Sequence, residues 1–352
     1  MGHSSCGPAE SPAVEAAAQH RFKRDAAIKC AAGGATRSMG FAVGGPSPQS
    51  PRGLSQAVGR ALRTQNDATR RKIMNFLKNL FRSNRNSFDD KKKIIETLAS
   101  PAIHIIGSNH QGFSKMGDKP NLGSNFSWPY HNEIPLAFLA QVKFSEINGN
   151  GQLEEFPRKG LLFVFYIQDQ STWGFDPKDE GSWRTIFLDN EELIQEETDF
   201  PEDLDDYSKY KEKRIIGKSV VTYPNWEDER IAALNLSDIE FDQFEEFKNS
   251  AFESKPQHQI GGYPNPQQGP EMYNECQLVS NGIYCGDSSG YSDPRASELL
   301  KSAGEWILLF QIDSDDEVGM MWGDVGTLYF WIRKSDLQNE VFNNTWMILQ
   351  CG

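Results

Sequence analysis

The sequence predicts an α+β fold: a mostly antiparallel β core with flanking helices and an internal duplication of two similar halves. Three observations carry that prediction. Trp306–Ile312 and Thr327–Ile332 are nearly continuous apolar runs joined by a short acidic, Gly-containing connection, the pattern of a hairpin buried on both faces. The same order of signals occurs twice. Gly117-x-x-Pro120-Asn121, an apolar run with Gln141, and Gly160-Leu161-Leu162-Phe163 are followed later by Gly261-x-x-Pro264-Asn265, a run with Gln311, and Gly326-Thr327-Leu328-Tyr329-Phe330. Finally, capping pairs such as Ser237 and Glu240 mark helix starts between the strands.

Composition narrows the function. Of 352 residues, 38% are hydrophobic and 11% aromatic, enough for a sizeable core. No apolar run reaches the roughly 18 residues of a membrane-spanning helix. The net charge of −13 is unevenly spread. Residues 1–73 carry eleven Lys/Arg against four Asp/Glu, a net of +7, leaving −20 for residues 74–352. So acidic a region repels phosphates, which argues against nucleic acid as a partner. Cys6, Cys30, Cys276, Cys285 and Cys351 are odd in number and widely spaced, without C-x-x-C, H-x-H or H-E-x-x-H. That pattern predicts no structural metal, no cofactor and a reducing cytoplasm. A Cys276–Cys285 bridge closing one loop has little support.

Along the chain, residues 1–73 are rich in Ala, Gly, Ser, Pro and Arg and hold no apolar periodicity. The favoured reading is an upstream extension before a natural start at Met74, ahead of disorder and of an organellar transit peptide. The domain then spans 74–352, with halves of about 74–206 and 207–352. MNFLKNLF reads as a short amphipathic helix, and Ser87 with Asp90 starts a second one that Pro101 ends. Strands are expected at Ile103–Ile106, Pro135–Phe144, Leu161–Asp169 and Trp183–Leu188. Asp189–Asp206 holds ten carboxylates and no Lys or Arg, and residues 207–218 reverse the sign, the pattern of a solvated connection between halves. Phe241, Phe244 and Phe247 share one face of a capped helix, and Asp293-Pro294 opens a helix that ends at Gly304.

The motifs Trp128-Pro129, PLAFLAQ (Pro135–Gln141), GLLFVFY (Gly160–Tyr166), WGFDP (Trp173–Pro177), HQIGGYPNPQQ (His258–Gln268), EWILLFQIDSD (Glu305–Asp315) and MWGDVGTLYFWI (Met321–Ile332) occur in one order. In this the chain resembles the YwqG-like proteins, a domain of unknown function, over roughly residues 80–350. The resemblance implies a compact cytoplasmic α+β protein of two similar halves and no established reaction. It also implies that toxin immunity is a role to consider, since bacterial members are suspected of it.

Four constellations could carry chemistry. Asp313, Asp315, Glu317 and Asp324 have calcium-loop-like spacing, but Val318 stands where the loop needs Gly, so an acidic hairpin turn is expected. The family resemblance implies that Asp324 caps that turn through backbone N–H groups. Gln141 and Gln311, at matched strand ends, either satisfy core backbone groups or line a shared cleft. The loop His258–Gln268, with Glu275, either holds a ligand or merely joins the halves. GDSSG (Gly286–Gly290) resembles a hydrolase fragment but lacks the strand spacing, His and Asp partners of one. The leading expectation is a non-enzymatic module that binds a protein partner through its acidic surface. The competing one is a small-molecule binder or enzyme, its cleft lined by Gln141, Gln268, Gln311, Trp322 and Asp324.

Overall fold

The computed structural model describes residues 88–252 and 255–352. Eleven strands form one sheet: β1 (Ser100–Gly107), β2 (Lys115–Met116), β3 (Tyr130–His131), β4 (Ile134–Lys143), β5 (Leu161–Ile167), β6 (Trp183–Leu188), β7 (Lys213–Thr222), β8 (His258–Ile260), β9 (Trp306–Asp313), β10 (Thr327–Arg333) and β11 (Trp346–Gln350). Their order is β11-β10-β9-β8-β1-β7-β2-β4-β5-β6, with β3 on β4, and every pairing is antiparallel. The long apolar runs form the two hairpins β4–β5 and β9–β10, as their composition predicts. All seven residues of β5 are buried. Both hairpins contribute to one hydrophobic core.

The sheet curls until its ends approach. Trp183 Nε1 of β6 donates to Thr345 O at 3.0 Å, and Leu349 N of β11 donates to Trp173 O at 3.0 Å. The rings of Trp183 and Trp346 meet edge to face at 4.9 Å. The result is a nearly closed barrel whose seam is held by side chains and one backbone bond rather than a ladder. Closure hides two edges that would otherwise invite pairing with other chains.

The strand order reads alike from either edge, about the central β1–β7 pair. The register of β4 against β5 slips at Leu139, two residues before Gln141, and that of β9 against β10 slips at Leu309, two residues before Gln311. Gln141 faces Phe163 across its hairpin and Gln311 faces Tyr329.

Some expectations hold and others are corrected. The mostly antiparallel core is present, and the fold is predominantly β with some helices; the longest helix among the described residues is the twelve-residue Asp238–Asn249. Its capping box, Ser237 with Glu240, forms as predicted, and Phe244 packs with Phe88, Ile95 and Ile231 in a second, smaller core. The connection expected at 207–218 instead contributes most of β7, paired along eight residues with β1. Its charges hid it: Lys213 is ion-paired with Asp315 and Glu317, and Arg214 with Glu212, so a charged strand sits inside the sheet. The helix after Asp293-Pro294 forms as one turn, Ala296–Leu299, that tightens into 3-10 turns over Leu300–Glu305. Cys276 and Cys285 are buried thiols rather than a bridge. Residues 1–73 and MNFLKNLF lie outside the described residues.

Candidate functional site

The two glutamines prove to be structural anchors with matched partners. Gln141 Oε1 accepts from Asn121 N at 3.0 Å, and its Nε2 donates to Phe113 O at 2.9 Å and to Asn121 Oδ1 at 2.8 Å. Gln311 Oε1 accepts from Asn265 N at 2.9 Å and its Nε2 donates to Gln257 O at 2.8 Å. Each satisfies backbone groups that burial would otherwise leave unpaired. The loop after β8 works the same way. Gln350 Oε1 accepts from the N–H groups of Gln267 and Gln268, Gln268 Nε2 donates to Cys351 O at 2.9 Å, and Tyr329 Oη donates to Asn265 O at 2.7 Å. That loop straps the ends of β9, β10 and β11 together.

Trp322 is fully buried against Tyr166 and Tyr210, both rings 5.9 Å away, and its indole N–H has no acceptor among the described residues. Asp324 is exposed; the turn it was expected to cap closes instead through Gly326 N to Trp322 O at 2.7 Å. Gln268 and Asp324 both sit beside the C-terminal residues, Asp324 O accepting from Gly352 N. Gln141 and Gln311 are held in separate networks, one through Asn121 and the other through Asn265.

The acidic hairpin carries a buried cluster. His258 Nδ1 accepts from Asp313 N at 3.1 Å, so in the neutral ring Nε2 keeps the proton and faces Asp315 Oδ2 at 3.2 Å. Lys213 Nζ meets the same oxygen at 2.8 Å. Burial alone would push the Asp315 carboxyl up, but His258 and Lys213 hold it well below the usual carboxylate range. Elsewhere Asp118, Glu197 and Glu212 lie close enough together to hold a cation, and the fully buried Lys115 ammonium lies 3.1–3.7 Å from all three.

The arrangement best suited to recognition is a groove of about 970 Å³ beside β9 and β10. Its floor is aromatic, with Trp306, Trp331, Tyr263 and Tyr273. Gly261 and Gly262, at φ of 68° and 69°, make the turn that places Tyr263 there; its N–H donates to Thr222 Oγ1 and its carbonyl accepts from Gln259 Nε2, both at 2.8 Å. The rim holds Glu154, Glu155, Glu227, Asp228, Glu229 and Glu271 against only Arg230 and Lys334. Arg230 is already paired with Asp228 at 2.7 Å. Burial, with smaller contributions from Glu271, Asp228 and Glu229, pushes the Tyr273 hydroxyl up to about 12. A buried indole N–H of Trp331 has no acceptor among the described residues.

The family model described as "Domain of unknown function (DUF1963)" matches residues 114–351. The chain belongs to this family. No curated protein matches it. The matched span contains the whole groove except Ser100 and Pro101. Sequence reasoning missed the groove because Trp306 and Trp331 stand in apolar strand runs, where core packing explains them. The signal that could have found it is the wealth of carboxylates at 154–155, 227–229 and 271, loops far apart in sequence.

Proposed function

We propose that this protein is a non-enzymatic protein-binding module whose groove takes a basic segment of its partner. What carries the reading is the groove itself, an aromatic floor ringed by six carboxylates and only two cations, one of them already neutralised. Lys and Arg side chains gain both from the carboxylates and from lying over aromatic faces, and Trp306 already accepts the Arg333 guanidinium 4.4 Å from its ring centroid. A basic toxin would be one such partner, in keeping with the YwqG-like assignment we favour within the family. We place the protein in the cytoplasm; no helix among the described residues is long and apolar enough to cross a membrane. We also infer that the two halves arose by duplication, on the palindromic strand order and on the bonding shared by Gln141 and Gln311.

The groove is tested by fluorescence anisotropy with a labelled Lys/Arg-rich peptide and an acidic peptide of equal length. The basic peptide is expected to bind selectively. Replacing exposed Glu154, Glu229 and Glu271 together by Gln should weaken it about tenfold, each exposed charge contributing up to ~1 kcal/mol. Equal affinity for both peptides, or no loss in the triple variant, would sink the reading.

A further inference from the structure

A second cavity, of about 450 Å³, lies at the barrel seam between β6 and the segment leading into β11. It differs in sign from the groove. Arg184 and Arg333 both line it, with Ser280 and Asn343, and Glu180 is its one acidic residue. Most cations among the described residues have a carboxylate partner in this acidic chain, yet neither of these arginines has one within ion-pair distance among the described residues. Arg333 is nonetheless fixed in place. Its guanidinium stacks on Trp306 at 4.4 Å and its Nη2 donates to Ser280 Oγ at 3.1 Å, which leaves further donors of the fork uncommitted.

We infer that this seam cavity binds a small oxyanion, through a carboxylate or phosphoryl group held between Arg184 and Arg333. A guanidinium presents paired N–H donors that match the two oxygens of such a group, and charge-assisted bonds of this kind are about twice as strong as neutral ones. The volume falls within the range of small-ligand sites, roughly 300–1,000 Å³. Glu180 on the lining disfavours polyanions and so favours a ligand with a single anionic group. This site does not depend on the groove or on a protein partner.

Trp183, Trp306 and Trp346 also line the cavity, so intrinsic tryptophan fluorescence reports on it. The full chain is titrated with inorganic phosphate and, separately, with acetate at constant ionic strength, with sodium chloride as the control. A saturable change is expected with at least one oxyanion and not with chloride; which one saturates separates phosphoryl from carboxylate ligands. Arg184 is exposed, so Arg184→Gln should leave the melting temperature unchanged while weakening binding about tenfold. Arg333→Lys should also weaken it, because it keeps the charge and loses the fork. A response that does not saturate, that chloride reproduces, or that is the same in Arg184→Gln overturns the inference.

Discussion

Asp315 takes Lys213 at 2.8 Å and His258 at 3.2 Å on one oxygen, while its other oxygen accepts from Glu317 N at 3.0 Å. These bonds tie the acidic hairpin to β7 and β8, which makes the carboxylate a structural clasp rather than a metal ligand in waiting. Because its pKa is depressed in the folded state, the folded protein resists protonation there more than the unfolded chain does. The clasp therefore stabilises at pH values above the unfolded carboxyl pKa of about 4, and that contribution is lost as pH falls below it toward the folded value. Urea unfolding at pH 7 and pH 3 should show a larger loss of stability in the wild type than in Asp315→Asn. Equal losses in the two proteins would mean that the clasp contributes nothing.

At the scale of elements, the seam decides whether the curled sheet is a barrel. Gly174, at φ 83°, lies where its carbonyl accepts from Trp346 Nε1 at 2.8 Å, and a Cβ there would overlap Met347 O. Both the positive φ and the close approach of β11 therefore require glycine. Gly174→Ala should destabilise the protein by about 2–4 kcal/mol, the strain of an Ala at positive φ adding to that of overpacking. Hydrogen exchange should show the loss first at the Leu349 amide, which bonds across the seam. Protection unchanged at Leu349 would show that the seam does not hold β11. The strap after β8 acts on the other side of the same strands, where Gln350 gathers three groups of residues 267–269.

At the scale of the whole molecule, charge is the property that reaches beyond contacts. The acidity counted over residues 74–352 concentrates in part around the groove, while the seam cavity keeps two arginines without acidic partners. Steering by such a field is screened by salt. Affinity of the basic peptide should therefore fall several-fold when NaCl rises from about 0.05 to 0.5 M, mainly through a slower association rate in stopped-flow traces. An affinity that does not respond to salt would assign recognition to the aromatic floor alone.

The sequence by itself determined the hairpins β4–β5 and β9–β10 and the capped helix Asp238–Asn249; it singled out Gln141 and Gln311 but left open whether they anchor the core or line a cleft. These elements are local in origin: apolar runs bounded by turn residues, and a capping box. Only the tertiary structure decided that the charged stretch Lys213–Thr222 is a central strand, because the Asp315 and Glu317 partners of Lys213 and the neighbouring strand β1 lie a hundred or so residues away along the chain. It alone closed the sheet, through contacts between β6, residues 173–174 and the C-terminal strand. It alone gathered carboxylates from separate loops around two tryptophans whose burial in strand runs reads, residue by residue, as nothing more than core. Local patterning reports which way a side chain is inclined to face; what meets it there depends on chain segments that no short window contains.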